Sequence, residues 1–295
     1  MQTRIFHLQN LSALHLGTGQ GVGVVDLPIA RAKATNLPIV PGSSLKGVMR
    51  DELKTQKKKI DDKDINTLFG KDKDADHAGA LAFGDANLLM LPIRSFAGTV
   101  AYATCPFILR QYKRDLALDL NVPTIADNRA LLANDSVLLI NEKIALEDLD
   151  IKSRCDDLAE KWANKITAEL YPEGTPDFKD WQNEVKKRFV ILPDSIFSFL
   201  ADTATEIRTR IRIERETRTV QTGALWTEEN LPADSVLWGV MGVSDSRDAS
   251  NQKSAKELAD LLPFEEIRLQ IGGKHTVGRG LCRLLITKPQ AKKGE

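Results

Sequence analysis

A chain of 295 residues with 42% apolar and 28% charged residues can build a sizeable core, as one large domain with insertions or as two small ones. Lys plus Arg and Asp plus Glu both number 41, so no global basic excess announces a nucleic-acid partner, although a neutral total can hide a basic stripe. No apolar run approaches the roughly 18 residues that span a bilayer, Met1 to His7 lacks a signal-peptide stretch, and Cys105, Cys155 and Cys282 fit neither a disulfide framework nor a zinc site. A cytoplasmic protein with no membrane partner is expected.

Residues 4 to 14 alternate loosely and predict a first strand. Gly17, Gly19, Gly21 and Gly23 then stand at every second position, which excludes the interior of a regular element. A Pro41-Gly42 turn, a serine N-cap and apolar residues at 45, 48, 49 and 53 predict a helix. Residues 55 to 78, rich in Lys and Asp, read as a solvated loop. The Asp72 to Asp76 run within it lacks the glycine and glutamate of a calcium loop, with His77 and Phe83 in those places. Ala80 to Met90 and Thr99 to Thr104 predict two strands, and Pro106 to Leu116 a helix. Strand, helix, two strands, helix opens a ferredoxin-like βαββαβ unit, which 267–271 or 281–286 would complete.

Further along, Leu158, Trp162, Ile166 and Leu170 recur every four residues and predict an amphipathic helix, with Asp156 and Asp157 at its positive end. From Glu206 to Glu214, Arg208, Arg210 and Arg212 alternate with Ile207, Ile211 and Ile213, the pattern of an exposed β-ribbon. Deleting Gly223 to Asn230 is accordingly expected to leave the core folded. The fold class is α+β.

The segment from Ile271 to Gly280 is the sharpest candidate site. Gly272, Gly273, Gly278 and Gly280 permit close backbone approach, and Lys274, His275 and Arg279 add donors, so a phosphate-contacting loop is favoured over a plain hairpin turn. It is not a Walker A loop, and Val22 spoils a dinucleotide fingerprint in the first glycine run. Ser43 and Ser44 open a helix that could receive a phosphate, with Lys46 and Arg50 on one face; taken alone, a capped surface helix with two solvated charges is the better reading. By themselves Asp26 reads as a surface turn, His15 as a packed strand-end histidine, and Glu228 and Glu229 as acids solvating a turn.

Several motifs in order resemble the RAMP superfamily of CRISPR proteins: Ile39-Val40-Pro41-Gly42-Ser43-Ser44-Leu45-Lys46-Gly47, then Phe83-Gly84-Asp85-Ala86, then the terminal Gly-Arg-Gly loop. Pro92 to Ser95, Thr104 to Pro106, and Thr222 to Pro232 are similar more closely to the backbone subunits of type III-B Cmr complexes. The resemblance spans nearly the whole chain and is weakest from about 121 to 177. It implies one domain over 1–295: a ferredoxin-like palm from 1–120 and 236–295, a helical insertion at about 121–190 and a β-hairpin thumb at about 205–235. It further implies copies stacked on guide CRISPR RNA beside other subunits of the complex. Complementary single-stranded target RNA would be cut at regular intervals, leaving 2′,3′-cyclic phosphate and 5′-hydroxyl ends. Ser43, Ser44, Lys46, Arg50 and the loop carrying Gly272, Gly273, Lys274, His275 and Arg279 would follow the guide backbone. Arg210 and Arg212, with Leu225 and Trp226, would form the thumb. The cutting residue would be Asp26, holding Mg²⁺ or Mn²⁺ or accepting a proton, with His15 and Glu228 as weaker companions. A guide-binding scaffold without cutting activity is the rival reading; a guide-processing nuclease is disfavoured because no His–Tyr–Lys set is visible.

Overall fold

Strand β1 (Gln2–Asn10) is buried on both faces from Arg4 onward, as expected of a strand inside a sheet that is covered on two sides. The computed structural model describes residues 1–19, 25–55, 60–71, 77–125, 128–263 and 266–287. Gly21, Gly23 and the 72–76 run lie outside them. After β1 come β2 (Ile39–Val40), α1 (Gly42–Thr55), α2 (Asp62–Phe69), β3 (Leu81–Phe83), β4 (Ala86–Arg94), β5 (Val100–Thr104) and α3 (Pro106–Leu116). The middle of the chain holds β6 (Ala130–Leu132), β7 (Lys143–Leu146), β8 (Leu149–Cys155), α4 (Asp157–Leu170), α5 (Phe178–Lys187), β9 (Phe189–Ile191) and α6 (Asp194–Thr203). A ribbon of β10 (Glu206–Ile213) and β11 (Val220–Asn230) precedes β12 (Val236–Val243), α7 (Ala255–Asp260), β13 (Ile267–Gln270) and β14 (Leu281–Ile286).

The strands outside the ribbon join in the order β13-β14-β1-β12-β4-β5-β9-β6-β8-β7, with β2 on β4 and β3 on β12. β14, β1, β12 and β4 are antiparallel neighbours, with α1 on the path from β1 to β4 and α7 on that from β12 to β14. The strand predicted over 80–90 divides into β3, which pairs with β12, and the start of β4, which runs on to Arg94 and pairs with β5 through Leu91 to Arg94, Leu91 opposite Ala103. But β12, from far along the chain, enters between β1 and β4, so β5 and α3 fall outside that four-strand set. Periodicity reveals a strand and not its neighbours.

Three local expectations need correction. Helix α2 lies inside the stretch that reads as a solvated loop. Asp61 caps it by accepting from the Asp64 N–H at 2.7 Å, and Ile65, Leu68 and Phe69 bury its inner face, a helical spacing hidden by the surrounding charges. Helix α1 begins at Gly42, so Ser43 and Ser44 occupy its first turn. The cap comes from a distant residue instead: Asp85 Oδ1 accepts the Gly42 N–H at 2.9 Å, which places a carboxylate at the positive helix end and docks two of the motifs on each other. The 121–190 stretch is not purely helical, since β6 to β9 extend the sheet beside α4 and α5. Among the described residues no helix is long and apolar enough to cross a membrane.

His7, on β1, is fully buried with Nε2 2.7 Å from the Tyr112 hydroxyl. Burial pushes its pKa down from 6.5 to about 4, against the charge of Glu169, which raises it. The folded state therefore keeps His7 neutral where the unfolded chain protonates it. Between pH 6.5 and about 4 the unfolded chain binds more protons, so stability is full above that window and falls as pH drops through it. Moving from pH 7 to pH 5 should cost roughly 2 kcal/mol from this residue. Urea midpoints at the two pH values, compared between wild type and His7→Gln, check this; an equal loss in the variant would assign it to other groups.

Candidate functional site

The ribbon of β10 and β11 is a two-stranded sheet, and its alternation sorts two chemistries onto two faces. Ile207, Thr209 and Ile211 stand opposite Glu229, Thr227 and Leu225 on one face; Arg208 and Arg210 stand opposite Glu228 and Trp226 on the other. The outer ribbon is exposed, Leu225 and Arg212 included. Its base is not. Glu228, Glu229 and Asn230 are buried, because the segment leading out of the first glycine run lies along the free edge of β11.

That segment carries Asp26. The Leu27 N–H donates to the Thr227 carbonyl (3.1 Å) and the Glu229 N–H to the Leu27 carbonyl (3.0 Å). Asp26 itself is exposed. Its Oδ2 accepts from the Thr227 N–H at 2.7 Å and from the Thr227 hydroxyl at 2.9 Å, while its own N–H donates back to that hydroxyl at 3.1 Å. These bonds, the backbone one foremost, hold the Asp26 carboxyl below its ordinary pKa, so it is ionised at neutral pH. Three residues on, the Ile29 N–H donates to Glu229 Oε2 (3.0 Å), and Arg31 pairs with Glu229 Oε1 (2.6 Å), so the exit of the loop is locked to the same strand.

On the opposite face Glu228 gathers the cations. Its Oε1 accepts from Lys274 and from Trp226 Nε1 (2.7 Å), with Arg210 Nε at 3.9 Å. Burial pushes the Glu228 carboxyl up, but hydrogen bonds from Lys274 and Trp226 and the charges of Lys274 and Arg210 outweigh it and leave the pKa lowered. Arg279 is buried nearby, its guanidinium pushed down by burial and by the charge of Arg208. Glu228 Oε2 and Arg279 Nη1 are buried with no hydrogen-bond partner among the described residues.

The loop that brings Lys274 there makes its closest approaches to the protein's own backbone. A Cβ on Gly280 would lie 1.9 Å from the Ile271 carbonyl oxygen, and one on Gly272 2.4 Å from that of His15; both residues have positive φ. Gly273 and Gly278 face open space. The exposed His275 folds back, with Nε2 2.6 Å from the Gly272 carbonyl oxygen. His15 is buried with Nδ1 2.6 Å from the Glu229 carbonyl oxygen. His15, Asp26, Glu228, Lys274, Arg210 and Arg279 thus converge on the ribbon base, a meeting of segments that sequence spacing cannot show.

Two sequence-based expectations change here. Glu228 and Glu229 do not solvate a turn: they alternate across a buried strand, one toward Lys274 and the other toward Arg31. Deleting 223–230 would therefore strip buried partners from the body, because only the outer ribbon is free of it. Sequence reasoning also missed Thr227 and Arg31 as site residues; for Thr227 the signal was the alternation of β11 continued to its end.

Ser43, Ser44, Lys46 and Arg50 lie on α1, in a second basic cluster. Lys46 and Arg50 are half-buried, not fully solvated: Lys46 Nζ donates to the Leu81 carbonyl (2.7 Å), and Arg50 to Asn66 Oδ1 (3.2 Å). Burial, then the charges of Arg50 and Arg247, lower the Lys46 pKa. Ser43 is exposed at the helix start.

An α+β chain with a long mixed sheet built on an antiparallel four-strand set, a projecting ribbon and two basic clusters fits a nucleic-acid-binding scaffold, and comparison with known proteins gives the class. The chain belongs to the RAMP superfamily, whose family model matches residues 7–283. It is similar to the CRISPR system Cmr endoribonuclease Cmr4 of Pyrococcus furiosus, at 34% identity over 97% of this chain and 96% of that one. Among solved structures, oligomeric Cmr4 from Pyrococcus furiosus matches with a TM-score of 0.75 and 27% identity over 99% of this chain and 100% of that one. A cryo-EM structure of the type III-B Cmr-beta complex bound to cognate target RNA contains the same fold, with a TM-score of 0.73 at 21% identity over 97% of each chain.

Proposed function

We propose that this protein is the repeated backbone subunit of a type III-B CRISPR effector, which binds guide RNA, stacks with copies of itself and other Cmr subunits, and cuts complementary target RNA at regular intervals. The antiparallel set β14-β1-β12-β4 with its two crossover helices is the ferredoxin-like palm, the 121–190 stretch the insertion, and the β10–β11 ribbon the thumb. The names of the similar proteins, an endoribonuclease and a complex bound to target RNA, support this reading.

The observation that carries it is the place of Asp26: an exposed, ionised carboxylate pinned at the base of a projecting ribbon, with a cationic cluster on the ribbon's other face. RNA carries its own nucleophile. The thumb, with Leu225 and Ile211 exposed, wedges the guide–target duplex and turns one nucleotide so that its 2′-oxygen lies in line with the departing 5′-oxygen. The 2′-oxygen bonds to phosphorus, the bond to the 5′-oxygen breaks, the 2′-hydroxyl proton leaves, and the 5′-oxygen gains one. Asp26 stands ready to take or steer the first proton. Arg210, Arg212 and Lys46, with Ser43 and Ser44, hold phosphates by charge and hydrogen bonding, although Lys274 is largely committed to Glu228.

The donor set also fits a hard divalent cation in part. Among the described residues no group of three or more His, Cys, Asp or Glu could form a protein cage. Asp26 Oδ1, which has no hydrogen bond among the described residues, could supply one ligand, leaving the rest to phosphate oxygens and water, as Mg²⁺ accepts. Such an ion would offset charge on the phosphoryl oxygens. The complex assembled on a guide of known sequence should cut a labelled target into an evenly spaced ladder, lose the ladder in EDTA, and regain it with Mg²⁺ or Mn²⁺. Target bound but uncut under all metal conditions would favour a scaffold without catalysis.

A further inference from the structure

We infer that Thr227 is the positioning residue for Asp26, fixing one oxygen of its carboxylate and turning the other outward to the RNA. The inference rests on the proposed role of Asp26. The three hydrogen bonds between the two residues close a ring: the Thr227 hydroxyl accepts from the Asp26 N–H at 3.1 Å and donates to Oδ2 at 2.9 Å, while the Thr227 N–H donates to the same oxygen at 2.7 Å. A carboxylate free to rotate has two equivalent oxygens; this one does not. Oδ2 is occupied twice, and Oδ1 has no hydrogen bond among the described residues. The backbone on the far side is equally fixed, through the Leu27 bridge to Glu228 and the Ile29 bond to Glu229.

The hydroxyl matters for a specific reason. Among the described residues it is the only side-chain group hydrogen-bonded to Asp26, and it both gives and receives a bond, so it links the loop backbone and the carboxylate to a single point on β11. That point lies opposite Thr209 in the ribbon, so any bending of the ribbon against bound RNA carries Asp26 with it. Thr227 is therefore a coupling between the thumb and the cutting group. Serine keeps both hydroxyl bonds; valine keeps the shape of threonine and loses them.

The test compares Thr227→Val and Thr227→Ser with Asp26→Asn, using the assembled complex for cleavage and the full chain, with ¹³C-labelled aspartate, for titration of the Asp26 carboxyl. That signal is assigned by its absence in Asp26→Asn. Thr227→Val should slow cleavage roughly tenfold to a hundredfold at unchanged guide binding, a displacement effect on a correctly bound substrate. Both the carboxyl titration and the acidic limb of the rate should move to higher pH, because the lost bond favoured the ionised form. Thr227→Ser should restore all three. An unmoved carboxyl titration in Thr227→Val, or a serine variant as impaired as the valine one, overturns the inference. Should the valine variant fail to fold, Thr227→Ala removes the same hydroxyl with less bulk and is judged by the same shifts. Failure of the underlying reading shows separately, as normal cutting by Asp26→Asn, and overturns the inference with it.

Discussion

Asp26→Asn should lower target cleavage by orders of magnitude while guide binding, assembly and target capture continue. The amide keeps the size of the side chain and can still accept from the Thr227 N–H and hydroxyl, so the loop should hold its place on β11. What is lost is a negative charge that acts mainly in the transition state, as a proton acceptor or a metal ligand, and such losses appear in the rate and not in affinity. Asp26 is exposed and packs against little, so thermal stability should change only slightly. Single-turnover cleavage on preassembled complex, with target binding measured in parallel, checks both halves. Cutting at the normal rate would make Asp26 a loop residue and leave the scaffold reading standing until another cutting group was found.

Lys274→Met should destabilise the fold by about 2 kcal/mol, through Glu228. Breaking a buried ion pair by removing one partner typically costs 3–5 kcal/mol, and the partial exposure of Lys274, 26% for its side chain, moderates this. Among the described residues, fully buried Glu228 would be left with the Trp226 N–H, a distant Arg210 and the charge of nearby Arg279 to balance it. A melting temperature lower by about 3 °C is expected for a chain of this size. Lys274→Met combined with Glu228→Gln should recover most of the loss, since a neutral amide needs no counter-charge, and the cycle measures the coupling. The folded pKa of Glu228 is lowered, so the stabilisation it brings is full above the ordinary carboxylate range and lost as pH falls through the folded value. The Lys274→Met variant should show less of that acid-side loss. A variant as stable as wild type, with RNA affinity sharply reduced, would return Lys274 to the RNA path.

The elements of this protein are largely written in local sequence. The four-residue recurrence of Trp162, Ile166 and Leu170 marks α4, the Pro106 start marks α3, and the alternation of Arg208, Arg210 and Arg212 marks an exposed ribbon. In each case neighbours a few residues apart settle the conformation, so a short window contains the whole signal. Helix α2 escaped because its short apolar face is embedded among lysines and aspartates, and composition outweighed spacing.

Tertiary structure alone decided which of these elements meet. Nothing near Gly42 indicates that its N–H is capped by Asp85, 43 residues on, and nothing near β1 indicates that β12 is its neighbour. The same holds at the site: Asp26 is bound by Thr227, 201 residues away, and Lys274 by Glu228 across 46. Sequence could nominate Asp26, Lys274 and Glu228 by chemical type. It could not say that Asp26 keeps an oxygen free while Lys274 spends its charge inside the protein, because a side chain's availability depends on burial and on what the folded chain brings to it. A buried charge must find a partner and an exposed one need not, and only the packed strand β11, turning Thr227 to one face and Glu228 to the other, distributes the two cases.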